Sequence, residues 1–177
     1  DHKEELASMV REGRVEFLQQ FFSLAAHDMQ PHLYDPSDPV VFAQSKLDMS
    51  ERSKHIEIYA LHRDLLQLRR EEAVFRVQRK GSMDGAVLGP EALVLRFFGQ
   101  RGDDRLLVVN FGLDLHLDPA PEPLLAPPES MHWVVVWSTE NPKYGGCGTA
   151  PVDTPDNWWI PGHAAVVLAP EKIVEKQ

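Results

Sequence analysis

The chain has 177 residues, 43% of them hydrophobic and 25% charged, with a mean hydropathy of -0.31; this is the balance of one globular domain, or of a domain with a helical annex. Its 18 Lys and Arg against 27 Asp and Glu leave a net charge of -9, which repels phosphate backbones and anionic lipid faces, so neither nucleic acid nor a membrane is expected as a partner. No apolar run approaches the ~20 residues of a bilayer span, and the single Cys147 rules out an internal disulfide, which points to a reducing, cytoplasmic setting.

The first residue is Asp1 rather than Met and a helical pattern follows at once, so the sequence reads as a piece of something longer. Over residues 3–26, Leu6, Val10, Phe17, Phe21 and Leu24 recur at helical steps with charge on the other face, predicting one amphipathic helix weakened at Gly13. Pro31, Pro36 and Pro39 then predict an extended loop over 30–39. A second helix is expected over 50–70: Ser50 and Ser53 offer capping oxygens, Ile58, Leu61, Leu65 and Leu68 form the stripe, and Arg69 and Arg70 complement the dipole.

After Glu72 the period becomes strand-like. Runs at 74–77, 86–88, 92–98, 105–111, 132–138 and 164–168 are β-branched or aromatic, with turn chemistry at Met83-Asp84-Gly85, Leu88-Gly89-Pro90 and Arg101-Gly102-Asp103-Asp104. Short strands without intervening helices predict an antiparallel sandwich of six to eight strands, with the Pro-rich 118–128 as a long surface connection.

Hydrolysis of sugars ordinarily needs two carboxyl groups a few ångströms apart. Asp103, Asp104, Glu140, Asp153 and Asp156 are the candidates, and all fall in turns where a carboxylate caps its own backbone. The eight His are scattered: His27 and His32 flank a loop, and His55 and His62 share a helix, without metal-ligand spacing. Cys147 stands between glycines with no histidine near in sequence, although a fold can bring His163 to it. No catalytic residue, metal site or cofactor is therefore assigned. The most distinctive stretch is 137–148, a strand running into a Pro-initiated turn, then Tyr144-Gly145-Gly146-Cys147-Gly148. With Trp158 and Trp159 downstream, Tyr144 is a candidate sugar-stacking platform; the other reading makes these rings plugs at the end of the sandwich.

Several of these runs carry a family resemblance. Ser45-Lys46-Leu47-Asp48, Tyr59-Ala60-Leu61-His62-Arg63-Asp64 continuing to Leu68-Arg69-Arg70, Val108-Val109-Asn110-Phe111, Tyr144-Gly145-Gly146 and Trp159-Ile160-Pro161-Gly162-His163 occur in order. Together they resemble the carboxy-terminal part of the malto-oligosyltrehalose trehalohydrolases, a family within the α-amylase superfamily of glycoside hydrolases. Met49 departs from the usual Trp and Cys147 from a small hydroxyl residue. The resemblance implies a mainly β fold with a helical N-terminal part: 1–71 as terminal helices and loop of a (β/α)8 TIM barrel, with Asp1-His2 closing its last strand loop, and 72–177 as the C-terminal antiparallel β-sandwich. It implies that the catalytic Asp, acid/base Glu and second Asp precede the matched segment. Since a barrel core needs all eight strands, the chain alone would be catalytically silent. The implied parent reaction is hydrolysis of maltooligosyltrehalose to trehalose and a maltooligosaccharide. The implied partner is the missing barrel, with α-glucan a further candidate. An independent glucan-binding or protein-interaction module, and the same region of a branching or debranching enzyme, stand as alternatives. The apolar face Phe17-Phe21-Leu24 is expected to bind something if exposed.

Overall fold

Helical periodicity at the amino terminus builds α1 (Glu4–Leu18), which runs through Gly13. The computed structural model describes residues 3–173 except 36, 78 and 156. The single helix expected over 3–26 is interrupted after Leu18: Gln20 folds its side-chain amide onto the Phe17 carbonyl at 2.9 Å, Phe21 turns extended, and α2 (Phe22–Ala25) starts afresh. No Gly or Pro marks that break. The proline segment is likewise more ordered than an extended loop. Residues His27–His32 form a 3-10 turn, and Pro39 opens α3 (Pro39–Gln44), with the Asp38 carboxylate accepting the Val40 amide proton at 2.8 Å. Asp35 accepts from both the amide and the hydroxyl of Ser37, and the hydroxyl bond is the main reason its carboxyl is held below the usual range. The chain divides into two compact units, Asp1–Glu51 and Arg52–Gln177.

The second expected helix is also split. His55 leaves helical geometry between α4 (Glu51–Lys54) and α5 (Ile56–Glu71), and Asp48, rather than a serine, accepts the amide of Ser50. The run 74–77 is a correction: α6 (Ala73–Arg76) is a helical turn, not a strand, and Phe75 sets its ring edge-on to Phe97 at 4.8 Å.

Among the described residues seven strands follow: β1 (Met83–Gly89), β2 (Ala92–Phe97), β3 (Arg105–Asn110), β4 (Leu115–Leu117), β5 (Met131–Ser138), β6 (Trp158–Ile160) and β7 (Ala164–Lys172). Every pairing is antiparallel, in a five-stranded sheet of order β1-β2-β3-β7-β5 and a β4-β6 ribbon. The expected turns at 88–90 and 101–104 join β1 to β2 and β2 to β3. The turn expected at 83–85 lies instead at Arg79–Ser82, where Ser82 N donates to Arg79 O and Gly81 takes φ 74°. Gly85 sits within β1, where an added Cβ would meet Leu95 Cδ2 at 2.7 Å.

The core lies between the five-stranded sheet and the ribbon. Alternation sends Val94, Leu106, Val108, Val166 and Leu168 inward from the sheet, and Trp158 and Ile160 inward from the ribbon. The Pro-rich connection is more than a surface strap: Leu125 is 2% exposed in this core, and its carbonyl accepts the Trp133 indole N–H at 2.8 Å. Arg96 closes one end of the core. Its guanidinium reaches Asp104 Oδ2 at 2.7 Å and the carbonyls of Leu124 and Ala126, and it lies over the Trp133 ring, while Asp104 Oδ1 accepts the Gly99 amide. Arg105 ties the helical segment to the sheet through Glu72, and its other terminal guanidinium nitrogen pairs with Asp103 in the turn before β3.

Candidate functional site

Residues 137–148 are shaped by three local devices. Asn141 caps the 3-10 turn Pro142–Tyr144 by accepting the Lys143 amide. Gly145 then takes φ 87°, which turns the chain immediately after Tyr144. At Gly146 a Cβ would lie 2.3 Å from the Glu140 carbonyl carbon, so only glycine allows the return pass. These devices aim Tyr144 at α5 rather than at solvent. Its hydroxyl donates to Asp64 Oδ2 at 2.8 Å and accepts from the Trp137 indole N–H at 3.2 Å, while the Lys143 ammonium ion-pairs with the same Asp64 oxygen. The hydrogen bond from Lys143, then that from Tyr144, pulls the Asp64 carboxyl down to about 2; burial, then the bond to Asp64, raises the Tyr144 phenol.

The paired tryptophans part company because neighbouring strand residues face opposite ways. Trp158 is 6% exposed and belongs to the core, where it presents no free ring face. Trp159 is 50% exposed, so the reading of both rings as plugs holds for Trp158 only. Opposite Trp159 in the ribbon register is His116, stacked on the indole with ring centroids 4.0 Å apart and planes within 13°. The indole borders a surface depression of about 430 Å³, walled by Pro151, Thr154, Pro161 and Asp114. The Asp114 carboxylate is fixed through Oδ1, which accepts the Gly162 amide at 2.7 Å. Sequence reasoning missed Asp114 and His116; the alternation Leu115-His116-Leu117 was the available signal.

The candidate carboxylates take structural positions. Asp104 pairs with Arg96, Asp103 with Arg105, and Asp153 accepts the Trp133 amide at 2.9 Å. Glu140 shapes the glycine loop, its backbone carbonyl accepting the Gly148 amide and its carboxylate Oε2 the Cys147 amide at 3.5 Å. Asp156 lies outside the described residues, as do Asp1 and His2. Among the described residues no three His, Cys, Asp or Glu side chains gather in a group fit for a metal ion. Cys147 is exposed on the glycine loop, and His163 takes φ 49° with its amide on the Gly112 carbonyl. No helix among the described residues is long and apolar enough to cross a membrane. In the first unit Phe17 and Phe21 meet edge to face at 6.0 Å and are both largely exposed, as is Phe22; Leu24 is half-buried.

Residues 80–167 match the family described as "Domain of unknown function (DUF3459)", a domain found at the carboxy-terminal end of α-amylase-family enzymes. Among curated proteins, the malto-oligosyltrehalose trehalohydrolase of Deinococcus radiodurans is 32% identical over 116 residues, covering 64% of this chain. The chain spans 18% of that relative's length. No solved structure matches.

Proposed function

We propose that this chain is the non-catalytic carboxy-terminal region of an α-amylase-superfamily glycoside hydrolase whose parent hydrolyses maltooligosyltrehalose to trehalose and a maltooligosaccharide. The observation that carries the reading is the 32% identity to a malto-oligosyltrehalose trehalohydrolase across 116 residues. In this reading, residues 1–71 complete the outer helices of the catalytic barrel, 72–177 form its stabilising sandwich, and the location is cytoplasmic. Two features support a structural role. Asp103 and Asp104 are engaged in ion pairs, Asp153 and Glu140 accept backbone amides, and large apolar side chains stand open on helices, Phe17 and Phe22 in one unit and Ile58 and Leu66 in the other. Faces of that kind suit burial against further protein. No cofactor or metal is invoked.

Trehalose release from maltooligosyltrehalose tests this directly. The chain alone should release none, and the same chain joined to an upstream barrel should release trehalose. Activity from the isolated chain, lost on changing Glu140 or Asp156, would remove the non-catalytic assignment. A joined enzyme that instead makes or cleaves α-1,6 branches would place the region in a branching or debranching enzyme.

A further inference from the structure

We propose that the outer face of the β4-β6 ribbon is a secondary α-glucan subsite, in which Trp159 supplies the stacking plane, His116 braces it and Asp114 receives a sugar hydroxyl; the choice of α-glucan rests on the function proposed above. Strand alternation turns Trp159 away from the core that Trp158 fills and leaves it half exposed. The ring is held in place by the stacked His116, 4.0 Å away, which lowers the ordering cost of using it to bind. The depression beside it, about 430 Å³, falls within the usual size range of small-ligand sites.

Asp114 supplies the polar counterpart. Its Oδ1 is anchored by the Gly162 amide, while Oδ2 makes no hydrogen bond among the described residues and can accept a hydroxyl proton. One aromatic plane beside one anchored carboxylate suits a pyranose, which has an apolar C–H face and a rim of hydroxyls. The carboxylate and the net charge of -9 disfavour an anionic ligand. Proline-rich peptides dock in grooves lined by aromatic side chains. Here a single indole stands with two proline walls.

Calorimetric titration of the full 177-residue chain with maltoheptaose tests the subsite, because removing Trp159 also removes the fluorophore that would report on it. The expected result is saturable binding with Kd on the order of millimolar. Trp159→Ala should weaken it about tenfold, the loss of ~60 Å² of apolar contact at ~25 cal/mol per Å². Asp114→Asn keeps an oxygen for the Gly162 amide and should weaken binding about threefold, a readout that stands even if the tryptophan variant does not fold. Absence of saturable binding up to ~20 mM, unchanged affinity in Asp114→Asn, or unchanged affinity in a folded Trp159→Ala overturns the proposal. So does equal binding of cellohexaose, or preference for a proline-rich peptide. Trehalose release by the joined enzyme without maltoheptaose binding here removes the subsite and leaves the parent reaction standing. Binding without trehalose release supports the subsite and removes that reaction.

Discussion

The Tyr144 hydroxyl donates a 2.8 Å hydrogen bond to Asp64, a residue 80 positions earlier in the chain. That bond latches the glycine loop onto α5, and Lys143 and Trp137 complete the group from either side. Tyr144 thus has a structural task that does not depend on any ligand, and the glycines after it exist to turn the chain once the ring is placed.

Removing the hydroxyl should loosen the latch without disturbing the loop. Tyr144→Phe keeps the ring beside Trp137 and leaves Lys143 on Asp64, so the expected cost is two partly buried hydrogen bonds, the one donated to Asp64 and the one accepted from the Trp137 indole, about 1–3 kcal/mol in all. Urea denaturation of the two proteins, with equal slopes and a lower midpoint for the variant, is the measurement. Equal midpoints would show that the latch contributes nothing.

The same group sets a pH dependence at both extremes. Asp64 is lowered from an ordinary 3.8 to about 2, so the ionised carboxylate favours the folded state. Its contribution is fully present above pH 3.8 and is lost as pH falls toward 2. Tyr144 is raised above its ordinary 10.0, so the neutral phenol favours the folded state, and that contribution is lost as pH rises through the raised value. Denaturation midpoints should therefore fall between pH 4 and 2 more steeply for the native chain than for Asp64→Asn. Parallel curves would remove Asp64 from the acid response.

Two glycines should respond in opposite directions. At Gly146 a Cβ would sit 2.3 Å from backbone that cannot easily yield, so Gly146→Ala should cost about 1–3 kcal/mol. Gly13 lies inside α1 with nothing within 4 Å, so Gly13→Ala should favour that helix by about 1 kcal/mol. Thermal melts of each variant report the sign.

Much of the sheet was legible because its physics is local. Alternating branched residues flanked by Gly89-Pro90 and Arg101-Gly102 mark β1 to β3 and the two hairpins within a few residues. The ribbon was not, since β4 and β6 have three residues each and pair across more than forty positions. Residues 74–77 read as strand because Val and Phe favour strands, yet Phe75 meets its partner Phe97 from a helical turn. Within the candidate site, Tyr144 was found by its glycines, while Asp64 appeared only within the helical run that carried the resemblance, and nothing local marked it as the partner of a tyrosine 80 residues on. Asp114 and His116 were hidden with the ribbon that positions them.

At the Arg96 end of the core, the ion pair is enclosed by carbonyls and an indole, and Asp104 is 6% exposed. Breaking such a pair from one side strands a charge. Asp104→Ala should cost about 3–5 kcal/mol, whereas the exposed Asp103→Ala, one residue away, should cost under about 1 kcal/mol. Chemical denaturation distinguishes the two, and equal effects would mean that water reaches Arg96.

The tryptophan pair offers the sharpest contrast, because adjacent residues of one three-residue strand carry different tasks. Trp158 fills the core with Ile160 and Leu125, so Trp158→Ala leaves a cavity too large for its neighbours to close and should cost about 3–5 kcal/mol. Trp159, half exposed and among the described residues stacked only on His116, loses one aromatic pair on truncation, about 0.5–1.5 kcal/mol. Melting temperatures should separate accordingly, with Trp158→Ala far below the native chain and Trp159→Ala close to it. Equal losses would mean that the ribbon is held from its outer face as firmly as from its inner one, and that Trp159 is retained for its contribution to stability.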